Sequence, residues 1–187
     1  PEWHKAMEAI HMPEGAADLL PESKMRQRLA YDELLANQLT LSLVRHRQRR
    51  INGRSFVGDG SLQQKLKAAL PFALTGAQER ALEEIGVDMS EPAKMLRLLQ
   101  GDVGSGKTIV AAMAMLRAVE SGTQAAIMAP TEILARQHAE SFTPWLEACG
   151  VPFLTFTGRD KGAEREKILA QIENGDARVI IGTHAIF

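Results

Sequence analysis

The sequence predicts an α/β fold: a parallel sheet with helices on both faces, preceded by a long α-helical segment. Three observations predict it. From Met95 onward, short apolar runs of strand length alternate with runs long enough for helices, and such alternation builds parallel sheets. A glycine-rich loop, Gly101–Thr108, sits where one apolar run gives way to a helix-forming one. Residues 23–50 contain neither glycine nor proline.

Composition bounds the reading. The chain has 187 residues, 45% hydrophobic and 24% charged, enough for one domain and an attached piece. A net charge of −1 provides no global basic field, so any nucleic-acid site must be local. The single cysteine, Cys149, excludes an internal disulfide and offers no zinc set; a reducing cytoplasmic setting fits. No apolar run approaches the length of a membrane span, and no signal-peptide pattern is present. The chain starts at Pro1 and stops at Phe187 directly after an apolar run, so a piece of something longer is expected.

A short helix or turn is expected near Trp3–Ile10, then an irregular stretch punctuated by Pro13, Gly15 and Pro21. His4 and His11 lack neighbours at metal-ligand spacing and read as surface or packing residues. From Ser23 to about Arg50 one long helix is predicted, with Met25, Leu29, Leu35, Leu39 and Leu43 as its best apolar stripe. Leu34, Leu41 and Val44 fall off that stripe, so the helix should touch more than one surface. The basic block Arg45–Arg50 complements the helix dipole; a phosphate contact is the alternative, but nothing aromatic is interleaved. Residues 51–61 read as a linker and the domain boundary.

A short helix follows over about residues 62–69. Thr75 then N-caps a helix to about Ile85, with Gln78 three residues on as its capping-box partner. Gly86–Pro92 is expected as a loop, leading into a strand over Met95–Leu99. A helix over 107–120 ends at Gly122, and Ala125–Ala129 is a strand closed by Pro130. Thr131–Ala148 is a helix interrupted or curved near Pro144, and Val151–Phe156 a strand closed by Thr157-Gly158. Lys161–Asn174 is a charged helix ending at Gly175, and Arg178–Gly182 a strand followed by Thr183-His184.

The loop Gly101-Asp-Val-Gly-Ser-Gly-Lys107-Thr108 fits G-x-x-x-x-G-K-[ST] between a predicted strand and a helix. Glycines let the backbone curl so that N–H groups face phosphate oxygens, and the following helix adds its positive end. Lys107 can reach the β- and γ-phosphates, and the Thr108 hydroxyl can ligate Mg²⁺. At average composition the pattern arises by chance in roughly one chain in a hundred of this length. Ligands in such sheets bind beyond the carboxyl ends of the strands. The tips at Thr131-Glu132, Thr157-Gly158 and Gly182-Thr183-His184 should converge there with the loop, as a backbone-tracking groove beside a nucleotide site.

Leu99–Thr108, Met128–Ala135 and Ile181–Phe187 resemble superfamily 2 helicase motifs as written in the bacterial RecG family. Thr157-Gly158 with Lys161-Gly162 and Arg165 is similar to a further segment of that family. Leu74–Gln78 matches the segment carrying its adenine-reading glutamine, and Asp32–Leu39 resembles its long helix between wedge region and motor. The Mfd and PriA families share the general pattern, though Mfd usually has a bulky aromatic at the place of Ser105 and Thr at that of Glu132.

The resemblance implies a RecA-like sheet in residues 61–187, as the N-terminal part of a first motor lobe, behind a helical linker over 1–60. ATP and Mg²⁺ would be the cofactors. Gly101, Asp102, Val103, Gly104, Ser105, Gly106, Lys107 and Thr108 would hold the nucleotide, with Lys107 and Thr108 catalytic and Thr108 on the metal. Gln78 would read the adenine edge, its amide both accepting and donating. Thr131, Arg136, Thr157, Gly158, Thr183 and His184 would line a single-strand track. The implied protein is a cytoplasmic, monomeric ATP-dependent helicase on branched DNA, with no membrane partner. An Mfd-like translocase coupled to a polymerase and a non-catalytic nucleotide sensor are the alternatives. The family's acidic metal-positioning motif, second lobe and wedge are not found in this sequence, so residues 1–187 alone are expected to bind nucleotide weakly without turning it over.

Overall fold

The computed structural model describes residues 1–49 and 52–187, without the side chains of Arg45, Gln48 and Arg49. Much of the basic block Arg45–Arg50 therefore lies outside the described residues. The chain divides into two compact units, Pro1–Ile51 and Asn52–Phe187.

In the first unit, helix α1 (Trp3–His11) and a 3₁₀ turn (Ala16–Leu19) pack on helix α2 (Lys24–Arg49). The long uninterrupted run folds as one helix, as its lack of glycine and proline allows. Only the first part of its apolar stripe is covered: Met25 and Leu29 are half-buried, whereas Leu35, Leu39 and Leu43 are exposed. Arg28 pairs with Asp32 one turn on, at 2.9 Å.

The second unit is built on strands β1 (Ala125–Met128), β2 (Phe153–Phe156) and β3 (Val179–Gly182). Among the described residues they form one parallel sheet in the order β1-β3-β2. Parallel neighbours need crossovers, and helices α6 (Glu132–Cys149) and α7 (Gly162–Glu173) supply them. The central strand β3 is buried at every position. Its Val179 and Ile181 enter the main core with Met113, Leu116, Phe142 and Leu146, from α6 and helix α5 (Lys107–Glu120). Ile180 points the other way, joining Phe156 and Ile168 of α7. Helices thus cover both faces, and strict alternation along β3 divides the two cores.

Helices α3 (Ser61–Ala69) and α4 (Gly76–Ser90) pack on α5. The Glu120 carboxylate at the end of α5 accepts from the backbone N–H groups of Gly60 and Leu62, satisfying donors at the start of α3.

The structure departs from the sequence reading in three places. No strand forms over Met95–Leu99, and no ladder partner lies beside it among the described residues. Leu96 and Leu98 are 76% and 84% exposed, while Arg97 between them donates to Glu84 at 2.7 Å and Asp88 at 2.6 Å, tying the segment to α4. The loop expected at Gly86–Pro92 is mostly helix, because α4 continues to Ser90. Gly86 is buried against the Arg117 guanidinium, which donates to Ser90 Oγ at 2.9 Å and the Phe56 carbonyl at 3.0 Å. There glycine serves close helix packing rather than helix termination. Finally, of the interruption or curvature expected near Pro144, the interruption does not occur: α6 runs unbroken through Pro144, flanked by buried Phe142 and Leu146.

At the carboxyl edge the strands finish level: Gly182 of β3 is in register with both Met128 of β1 and Phe156 of β2. A Cβ at Gly182 would run into the Phe156 carbonyl, so a bare backbone is required there.

Candidate functional site

The glycine-rich loop turns on two left-handed residues, Gly104 at φ +81° and Gly106 at φ +78°, and delivers Lys107 as the first residue of α5. The Lys107 ammonium folds back on the loop, donating to the Gly101 carbonyl at 2.8 Å and the Asp102 carbonyl at 2.7 Å. A phosphate would have to replace those two carbonyls as its partner. Val103 and Ser105 are exposed at the loop's crest, and Thr108 is half-buried one residue into the helix.

Gln78 reaches this loop from α4. Its Oε1 accepts from Thr75 N–H at 2.8 Å, while Thr75 Oγ1 accepts from Gln78 N–H at 3.3 Å, completing the capping box read from sequence. Its Nε2 donates to the Ser105 carbonyl at 2.9 Å. Both ends of the amide are therefore engaged within the chain. A Cβ at Gly106 would collide with that Nε2, so the missing side chain admits Gln78 to the loop.

The strand-tip rim lies at the same edge. Residues Ser121–Gln124 turn the chain from α5 into β1, which packs beside it, so α5 runs back along the sheet. Its N-terminus, with the glycine-rich loop, points toward the carboxyl ends of the strands. Thr131 is exposed and N-caps α6, its Oγ1 accepting from Leu134 N–H at 3.3 Å. Arg136 is exposed one turn beyond Glu132. Gly158 and His184 are exposed, and half-buried Thr183 donates its N–H to the Phe156 carbonyl at 3.2 Å. Thr157 is buried, and its hydroxyl donates to Asp160 at 3.2 Å, so it shapes the loop from within.

Sequence reasoning missed one rim feature. Arg159 Nε meets the Glu132 carboxylate at 2.5 Å, joining the tips of β2 and β1. The partners are far apart in sequence and follow no local pattern; opposite charges at two rim junctions were the only signal. Nearby, the Arg165 guanidinium lies 4.8 Å over the Phe156 ring.

Among the described residues no group of three His, Cys, Asp or Glu side chains is placed to hold a metal. Beside the start of α4 lies a 240 Å³ cavity with Leu70, Phe72 and Leu74 in its wall. A larger cavity of 410 Å³, with Gln63, Glu83, Met113 and Arg117 in its wall, includes no residue of the glycine-rich loop. Among the described residues no helix is long and apolar enough to cross a membrane.

Comparison with known proteins agrees with this fold. The chain is 42% identical over 187 residues to the ATP-dependent DNA helicase RecG of Escherichia coli O157:H7, covering 98% of the chain and 27% of that protein. It is 43% identical over 188 residues to RecG of Bacillus subtilis, covering 100% of the chain and 27% of the relative. The chain thus spans about a quarter of the length of these relatives. A solved structure of RecG bound to a three-way DNA junction superposes with a TM-score of 0.77 at 39% identity, over 96% of this chain and 24% of that one. The family model for DEAD/DEAH box helicases matches residues 75–187, so the chain belongs to the DEAD/DEAH box helicases.

Proposed function

We infer that this chain supplies the nucleotide-binding part of an ATP-driven motor that translocates on DNA and remodels branched structures such as forks and four-way junctions. The observation that carries the reading is the shared edge: the glycine-rich loop opens toward the side of the sheet where three strand tips end level. Nucleotide state and strand contacts are thereby set side by side.

In this reading Gly101–Thr108 wraps the nucleotide's phosphates. Lys107 leaves the Gly101 and Asp102 carbonyls for phosphate oxygens. Gln78 exchanges the Ser105 carbonyl for the adenine edge, and the base rests near Phe72 and Leu74. Mg²⁺ neutralises phosphate charge when bound, with the Thr108 hydroxyl among its ligands. Thr131, Arg136, Gly158, Thr183 and His184 line the strand track, and Thr157 fixes the shape of its loop. The protein acts in the cytoplasm as a monomer. Residues 1–187 alone bind nucleotide weakly without turnover.

The test is ATP hydrolysis by the intact protein given a synthetic three-way junction. Junction-stimulated turnover abolished by Lys107→Ala supports the motor. Junction binding with no ATP turnover in the unaltered protein would leave a nucleotide sensor instead.

A further inference from the structure

We propose that Arg159 is a phosphate-binding residue of the strand track, and that Glu132 is its built-in competitor, holding the guanidinium until a strand displaces it. The proposal rests on the reading of the rim as a single-strand track and adds to it a residue pair and a loading step.

The pair is placed across the track. Neighbouring strands lie about 4.8 Å apart, so β1 and β2, on either side of β3, are separated by about 10 Å. An ion pair from Glu132 at the start of α6 to Arg159 after β2 must therefore pass over the end of β3. The residues that follow β3 are Thr183 and His184, both placed on the track. A strand lying along the three tips meets this bridge directly.

The geometry allows exchange. Arg159 stands on a fixed loop: Asp160 accepts from Thr157 N–H at 2.7 Å and from Thr157 Oγ1 at 3.2 Å. The Arg159 N–H in turn donates to Thr157 Oγ1 at 3.4 Å. The backbone is held while the side chain remains 69% exposed, so the guanidinium can change partner without moving the loop. Neighbouring Arg165 is committed to the Phe156 ring. A guanidinium fork fits carboxylate and phosphate oxygens alike. An ion pair reached by solvent from the Arg159 side is weakened and screened by salt, whereas a strand presents phosphates in series beside other donors on the rim. The Glu132 carboxylate thus occupies the place a phosphate takes, keeping the empty rim nearly neutral at this point.

The test is equilibrium binding of fluorescent oligothymidylate to the intact protein across a salt series. Four proteins are compared: unaltered, Glu132→Gln, Arg159→Gln and the double variant. Glu132→Gln should tighten binding about two- to fivefold, the scale of a solvent-reached pair no longer to be broken. Arg159→Gln should weaken it and lower the salt slope by about 0.7, one phosphate contact on a single strand. In the Arg159→Gln background, Glu132→Gln should give no gain. A full gain in that background would mean that Glu132 acts only by general repulsion, and would overturn the proposal. An unchanged salt slope in Arg159→Gln would also overturn it. A Thr183→Ala/His184→Ala variant separates the two levels: weakened binding there, with Arg159→Gln silent, sinks this proposal alone. Silence of both sets sinks the track itself.

Discussion

The nucleotide loop and the strand-tip rim occupy the same edge of the sheet but are held by different means. In the loop, Lys107 and Gln78 bond to backbone carbonyls of residues 101, 102 and 105. At the rim, the corresponding link is one ion pair between side chains, exposed Arg159 and half-buried Glu132. Backbone carbonyls are fixed acceptors, and replacing them requires a ligand of comparable strength and shape. A pair reached by solvent is weakened and sensitive to salt. The contrast fits the proposed reading, in which the loop takes one ligand of defined geometry and the rim many equivalent phosphates in turn.

The largest way to break this contrast is Lys107→Ala. Removing a preorganised cation should cut ATP turnover of the intact protein by about 100- to 1000-fold, the range for losing one oriented donor. Oligothymidylate binding without nucleotide should change little. A comparable loss of both would show that loop and rim are not separable.

Next in size is Gly106→Ala set against Gly122→Ala. Both glycines are left-handed, at φ +78° and +80°, so each substitution costs about 1–2 kcal/mol. A Cβ at Gly122 meets open space, whereas at Gly106 it meets the Gln78 amide. Gly106→Ala should therefore lower the denaturation midpoint further and block nucleotide binding. Equal shifts would mean that the Gln78 contact contributes nothing to the loop.

A smaller effect tests the rim. Thr131→Ala removes the N-cap of α6 and should cost about 1 kcal/mol, while Thr131→Ser keeps the oxygen and most of the stability. Thermal denaturation of the two variants measures what the cap contributes.

The smallest effect lies away from both regions. Burial pushes the Cys149 thiol above its ordinary range, so the folded chain resists forming the thiolate. Its contribution to stability is full below the free thiol's value and declines as pH rises from there through the folded-state value. Denaturation midpoints of the unaltered chain should fall more steeply in that alkaline window than those of Cys149→Ala.

Much of this was legible in the sequence, where local rules decide. Glycine spacing before Lys107, the Thr75–Gln78 capping box and the short apolar run of β3 each act within a few residues, and each appears as read. The errors fall where tertiary contacts overrule local pattern. Leu96 and Leu98 look like strand residues, but a strand needs a partner, and Arg97 binds the segment to α4 instead. Gly86 looks like a helix stop until Arg117 packs against it. The Glu132–Arg159 bridge was invisible because two strand tips come together only once β3 has inserted between them. Gln78, read as the capping-box partner of Thr75 and, by resemblance, as the reader of an adenine edge, completes the box and gives its Nε2 to the Ser105 carbonyl.

Gly182 has a consequence beyond its own position. The Phe156 carbonyl sits where its methyl group would be, so any larger residue must wedge β2 away from β3. Arg159 rides on the chain leaving β2, and His184 on the chain leaving β3. The spacing of these two strand tips, and of the residues carried beyond them, is thus set by an atom the protein does without.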